Sequence, residues 1–415
     1  MLCRGATTPQ MAHSASNPSG ANDLRRRTSL RLLDDALWES PSSARLVLLA
    51  TRSRATLRLS PQAASSHAPV LLLAVAALSG CFSNVPTVGT LSPEQFQRLE
   101  DLALPAAKLG VRVTDPGTPR VNMHGVLGVK EAGEAHLDLN SRMFSDIGHP
   151  LIRVKLNGKS TIALLDTGAS TSLVDYWGAK RMKLNPVGPP LVRMPVASLG
   201  GGTEQILGVA KSLAMDDITL ERVPFGVLND ARGTAAYRWL QGYRVETIIG
   251  NNILSALSYV SFDIANERVT MDARRRYAPS SKRLLGDTPL ISRFGVPVVL
   301  ASVDQKPMHV AIDSGGMFGL WIPRPVANDA GMPEVESSKD MELGHGVAGG
   351  ILQKPGQPRT LNFVGFDIPD VPTSFSLVQL GANEPPYALL GTEVMKRYVV
   401  TIDYLARKVY FERPE

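Results

Sequence analysis

Thr161-Ile162-Ala163-Leu164-Leu165-Asp166-Thr167-Gly168 returns later in the same chain as Met308-His309-Val310-Ala311-Ile312-Asp313-Ser314-Gly315. Each run is an apolar strand that ends in a carboxylate, a small hydroxyl residue and a glycine. The glycine has no Cβ, so a second loop can approach it closely. Two aspartates delivered in this way, one from each half of a duplicated chain, cannot both ionise if they share a proton. One then serves as a general base and the other as a general acid.

The echo extends outward from both runs. Gly148-His149-Pro150-Leu151-Ile152-Arg153-Val154 leads into Asp166, and Gly295-Val296-Pro297-Val298-Val299-Leu300-Ala301 leads into Asp313, with the same eighteen-residue step from glycine to aspartate. Asn157-Gly158-Lys159 and Asp304-Gln305-Lys306 stand at matching turn positions. Asn-Gly between apolar stretches marks a hairpin, so each copy reads as a hairpin whose second strand carries an aspartate to a loop. Downstream, Thr247-Ile248-Ile249-Gly250 pairs with Ala388-Leu389-Leu390-Gly391, each before a short helical stretch. Tyr259–Asp263 pairs with Val399–Asp403, and Glu267–Met271 with Arg407–Phe411. A lone Asp-Thr-Gly is ordinarily a turn capped by its own side chain. Two copies in register with their flanks are not explained that way. Asp263 and Asp403, also paired, precede strand turns and read as structural.

These motifs resemble the aspartic protease family, in particular its bacterial retropepsin-like branch fused into one two-lobed chain. The resemblance rests on Asp166-Thr167-Gly168-Ala169-Ser170, Asp313-Ser314-Gly315-Gly316 and the two apolar-apolar-glycine motifs ending at Gly250 and Gly391, and it runs from about Pro150 to the C-terminus. It implies an all-β, bilobed acid-protease fold: two homologous β lobes with the active site at their interface, and a hairpin flap over an extended peptide. It also implies catalytic Asp166 and Asp313, with Thr167 and Ser314 hydrogen-bonding across to the opposite loop beside Gly168 and Gly315. Ala169 and Gly316 stand where pepsin-like relatives carry a hydroxyl that favours the ionised carboxylate. Its absence points to activity at mildly acidic to near-neutral pH.

The second copy departs from the first. Met317-Phe318-Gly319-Leu320 stands opposite Ser170-Thr171-Ser172-Leu173, with Leu320 set against Leu173. Leu320-Trp321-Ile322-Pro323 is similar to the stretch after the catalytic triplet in the first lobe of pepsin-like enzymes, with one extra residue. Flap candidates are Ser198–Thr203, with Gly200 and Gly201, and Leu343–Gly350, with Gly346. Glycine runs there permit bending and the approach of another backbone.

Seven scattered histidines, with Cys3 and Cys81 the only thiols, show no metal-ligand spacing. His309 reads as a surface side chain on its strand. No cofactor is expected, and no nucleotide-binding loop or serine-centred triad is recognisable.

Residues 1–81 form a separate region, a leader without apolar periodicity followed by a signal. Ala68-Pro69-Val70-Leu71-Leu72-Leu73-Ala74-Val75-Ala76-Ala77-Leu78-Ser79-Gly80-Cys81 has an apolar run too short to span a bilayer but suited to a secretory h-region. Leu-Ser-Gly-Cys resembles the bacterial lipobox, which implies lipidation at Cys81 and a lipoprotein facing the periplasm, anchored to the outer membrane. Nine arginines against four acidic residues give this region +5 of the total +6, so the basic balance belongs to the leader and gives no basis for a nucleic-acid partner. Residues 82–144 read as a tether and N-terminal extension. Ser92-Pro93-Glu94-Gln95 opens a short helix there, and 105–145 forms either a strand pairing or a cover. The lobes follow at 145–280 and 281–415, with short helices at Asp175–Met182 and Pro325–Ala330.

The expectation is a monomeric, membrane-tethered aspartic endopeptidase acting on peptide or protein. The alternatives are a catalytically inactive peptide-binding lipoprotein on the same fold and a structural envelope protein.

Overall fold

A computed structural model describes residues 91–109, 112–113, 121–122, 127–139, 149–198, 201–228, 245–293, 295–332, 342–346, 349–363, 365–376 and 386–415. Cys81 and the leader lie outside these residues. Ser92 caps the first helix, Pro93–Asp101, with a reciprocal capping box: its hydroxyl accepts from Gln95 N at 3.2 Å, and the Gln95 side chain accepts from Ser92 N at 2.8 Å. Leu91 and Leu99 are buried in the core. A two-residue ribbon, β1 (Arg112–Val113) with β2 (Val121–Asn122), precedes β3 (Gly128–Glu131) and β4 (Glu134–Asp138). These last two resolve part of the segment that the sequence left open, because both pair with strands of the body.

The first repeat starts with β5 (Leu151–Leu156) and β6 (Lys159–Leu165), joined by Asn157 and Gly158 at φ 51° and 75°. Two positive φ values in a two-residue loop match the twist of the flanking strands. Then come β7 (Leu173–Val174), a helix at Tyr176–Arg181 capped by Asp175, β8 (Asn185–Pro186), β9 (Arg193–Ser198), β10 (Gly201–Met215), β11 (Ile218–Leu228) and β12 (Val245–Ile249). Strand β10 pairs with both β5 and β11, so the path β10-β5-β6-β12-β7-β11 closes into a six-stranded barrel. Closure removes the sheet edges. β3 attaches to the outer end of β11. Inward positions such as Ile152, Val154, Ala163, Leu165, Phe225 and Val227 alternate with outward ones and fill the barrel.

Strands β13 (Tyr259–Asp263) and β14 (Arg268–Asp272) leave the first repeat, and β15 (Leu284–Arg293) opens the second. There β16 (Val296–Val303) and β17 (Lys306–Ile312) repeat the hairpin, with Asp304 and Gln305 at φ 48° and 69°. β18 (Leu320–Ile322), a helix at Arg324–Asp329, β19 (Glu342–Gly346), β20 (Gly349–Pro355), β21 (Arg359–Phe363), β22 (Phe366–Val371), β23 (Thr373–Ser376) and β24 (Ala388–Leu390) follow. The pairing β16-β17-β24-β18-β23 retraces β5-β6-β12-β7-β11, including the parallel contacts β17–β24 and β18–β23. What were single long strands in the first repeat are broken here at Pro355, Pro358 and Pro372, which have no N–H to give a ladder.

Finally β25 (Val399–Asp403) and β26 (Lys408–Glu412) close the chain. The order β15-β26-β25-β13-β14-β4 is an antiparallel sheet to which the second repeat gives three strands, the first repeat two, and the segment before the first repeat its edge strand β4. Its centre pairs Ser261 with Thr401, whose hydroxyls are 2.7 Å apart. Asp263 accepts from Asn266 and Asp403 from Ala406 N, each across its own turn, and Asp403 also accepts from Tyr277 N far along the chain.

Candidate active site

Strands β6 and β17 each run between a hairpin partner and a parallel neighbour, and both stop at an aspartate. The parallel neighbour holds that aspartate by its backbone: Asp166 N donates to Ile249 O at 3.0 Å, and Asp313 N to Leu390 O at 2.9 Å. The glycine after each neighbour lies directly under the loop. A Cβ on Gly250 would fall 2.7 Å from Ala169 O, and one on Gly391 2.3 Å from Phe318 O. Immediately afterwards Asn251 N donates to Ala169 O and Thr392 N to Gly316 O, both at 2.7 Å. The two apolar-apolar-glycine motifs therefore brace the two aspartate loops in the same way.

The loops lock to each other through their hydroxyl residues. Thr167 Oγ1 donates to Ile312 O at 2.6 Å and accepts from Ser314 N at 2.9 Å. Ser314 Oγ donates to Leu165 O at 2.8 Å and accepts from Thr167 N at 3.0 Å. Both side chains are fully buried. Four buried bonds across a two-fold arrangement fix the separation of the loops.

That arrangement brings the carboxylates together. A Cβ on Gly168 would lie 2.5 Å from Asp313 Cγ, and one on Gly315 2.4 Å from Asp166 Cγ. Each loop thus needs glycine where the opposite carboxyl sits, and the charge of Asp166 acts on Asp313. Asp166 Oδ1 accepts from Ala169 N and Asp313 Oδ1 from Gly315 N, both at 2.9 Å. Burial pushes the Asp166 carboxyl up, against the lowering effect of the Ala169 and Gly168 amides. Asp313 is pushed up much further, by burial first and then by the charge of Asp166. The pair retains a proton where ordinary carboxylates are ionised, and that proton belongs to the pair.

The flap candidates fall on hairpins. Gly201 opens β10 opposite Ser198, and Gly346 ends β19 opposite Gly349. Gly200 lies outside the described residues. His309 is half-buried on β17. Among the described residues no group of three or more histidine, cysteine or acidic side chains is placed to hold a metal ion.

One expectation is corrected. Leu173 pairs with Ile248, and its counterpart by register is Trp321, which pairs with Leu389, not Leu320. The extra residue of the second loop shifts the match by one position. It also explains how the loop works without the serine: Gly250 N donates to Ser172 Oγ at 2.8 Å, whereas Gly391 N donates to Gly319 O at 2.9 Å.

Several supporting residues were not foreseen from the sequence. Asn252 Oδ1 accepts from Ser172 N and Oγ, both at 2.7 Å. Asn251 ties the repeats together, donating to Gly295 O and accepting from Tyr404 OH, both at 2.6 Å. Two small apolar clusters separate from the main core surround the strand ends. Leu151, Leu164, Leu173, Leu228, Val245 and Ile248 form the first. The second is more aromatic, with Trp321, Tyr387 and half-buried Phe318 beside Val296, Val298, Ala311 and Leu389. Burial and the charge of Asp313 push the Tyr387 hydroxyl up to about 12. Alternation along β6 and β17 puts Leu164 on the face of Asp166 and Ala311 on that of Asp313. Register with β12 and β24 could have located both clusters in the sequence.

Residues 152–253 match a family model described as aspartyl protease, which spans the first copy of the repeated landmarks from β5 to the helix after Gly250. No curated protein matches the chain.

Proposed function

We propose that the protein is an aspartic endopeptidase of the retropepsin-like and pepsin-like type, its two repeats forming the lobes of a bilobed acid-protease fold. The observation that carries this reading is the reciprocal Thr167–Ser314 lock, which sets half-buried Asp166 against buried Asp313 with glycine at each point of closest approach. The family match over the first repeat supports it.

In this reading Asp166 and Asp313 hold one water between them. The ionised member takes a proton from that water as its oxygen attacks the scissile carbonyl carbon. The protonated member donates to the carbonyl oxygen. A tetrahedral gem-diol results, and its collapse breaks the C–N bond as a proton passes to the leaving amine. No acyl-enzyme forms and no cofactor is needed. The substrate lies extended under the β9–β10 and β19–β20 hairpins, with the apolar clusters as walls for its side chains. A lipid anchor at Cys81 holds a monomer at the periplasmic face of the outer membrane. Labelled fatty acid should enter the wild-type chain and not a Cys81→Ser variant.

The functional test is cleavage of unstructured peptides by the full chain, with Asp166→Asn and Asp313→Asn examined separately. Each substitution should reduce kcat at least about 10³-fold. Activity persisting in Asp313→Asn would indicate a site built from the first repeats of two copies. Absence of cleavage at every pH, with peptide still bound, would favour the inactive binding protein.

A further inference from the structure

The segment before the first barrel grips the root of the β9–β10 hairpin from two sides. Its helix is fixed to the main core through Leu91 and Leu99, with Phe96 and Ala103 packed against the same core. Across the helix, the Arg193 guanidinium at the start of β9 lies 4.7 Å from the centre of the Phe96 ring, and Arg193 also reaches Glu204 on β10 at 3.6 Å. Leu91, Pro93, Phe96, Gln97 and Glu100 share a cavity of about 670 Å³ with that ion pair. Beyond the helix, Leu104 forms a parallel bridge to Val187: Leu104 N donates to Pro186 O at 2.9 Å, and Gly188 N to Leu104 O at 3.0 Å. Ala106 and Leu109 then pack with Val192 against Val187, Leu207 and Val209, a cluster separate from the main core. Both arms of the hairpin root, Val192-Arg193 and Glu204–Leu207, are therefore held by residues 91–109.

We propose that residues 91–109 are a clamp that sets the resting position of the β9–β10 hairpin, with Phe96 and Arg193 as positioning residues. This rests on reading that hairpin as the cover of the aspartate pair. Three features favour a clamp over simple packing. The helix has its own capping box, so the amides of its first turn are satisfied without the hairpin. Its side-chain contact with the hairpin is a cation over a ring, an attraction that another cation can keep and a neutral side chain cannot. The clamp also lies on the chain between residue 81 and the barrel, so tension or a partner acting on that stretch reaches residues 91–109 before it reaches the barrel.

Hydrogen exchange measured along the full chain tests the proposal without reference to catalysis. Arg193→Ala should speed exchange of the amides of 193–206 about two- to fivefold, and Phe96→Ala by more, with β6, β12 and β25 unchanged. Arg193→Lys, which keeps a cation over the ring, should restore most of the protection. In peptide hydrolysis the Ala variants should raise KM severalfold and leave kcat within about twofold. The proposal is overturned if exchange in 193–206 is unaltered, or if protection falls equally across the whole barrel. If no variant, wild type included, cleaves peptide, the protease reading fails while the exchange result still decides the clamp.

Discussion

Thr167 and Ser314 each do two things at once, donating to a strand-end carbonyl and accepting the other loop's amide. Replacing Thr167 by Ala leaves Ile312 O and Ser314 N buried without those partners, and the expected loss is about 2–4 kcal/mol in urea unfolding. Thr167→Ser keeps both bonds and should lose less than about 1 kcal/mol. The residue after each triplet sets pH behaviour. Ala169 offers Asp166 only its amide, and burial raises both carboxyls, Asp313 most. Activity should therefore reach its maximum at mildly acidic to near-neutral pH and decline as pH rises through the raised pKa of the pair. Ala169→Ser adds a donor to the ionised carboxylate and should move the acidic limb of the pH–rate profile to lower pH. A wild-type profile peaking well below pH 3 would contradict the assignment. These roles were legible because a triplet repeated with its flanks carries its own register. Asn251 and Asn252 were not, since a polar residue after Ile-Ile-Gly has no pattern that reveals which carbonyl or hydroxyl it meets.

At the scale of elements, turn chemistry decided what could be read. Asn157-Gly158 and Asp304-Gln305 take the same positive-φ turn, so both hairpins were visible despite the missing glycine in the second. The Leu320 match failed because one inserted residue flips the face of a short strand. The strands β3 and β4 were left open because each finds its partner far along the chain, in β11 and β14. The glycines under the loops give a direct test of close approach. Gly391→Ala sets a Cβ 2.3 Å from a backbone oxygen that cannot easily yield, and should destabilise by about 1–3 kcal/mol while lowering activity. Gly158→Ala, at positive φ but in open space, should lose only about 1 kcal/mol and keep activity. Equal effects on activity would remove the reason given for Gly391.

Over the whole molecule, the duplication explains the shared central sheet, and two opposed titrations make stability depend on pH. Burial pushes His149 down to about 4 from an ordinary value near 6.5. The unfolded chain takes that proton first, so stability is lost as pH falls from about 6.5 to 4, by roughly 3 kcal/mol, and the loss levels off below. Asp313 acts in the opposite sense. Its raised pKa contributes stability that is complete below the usual carboxylate range and disappears as pH rises through the folded value. Asp313→Asn should therefore raise the urea midpoint at neutral pH, and His149→Gln should flatten the decline between pH 6.5 and 4. An unchanged or lower neutral-pH midpoint for Asp313→Asn would mean that the carboxylates are not held in conflict. The most direct measurement is peptide turnover by Asp166→Asn, Asp313→Asn and the double variant. A single acid–base unit predicts that each single change reduces kcat about as far as the double change does. Substantial activity in either single variant, or losses that multiply in the double, would contradict it.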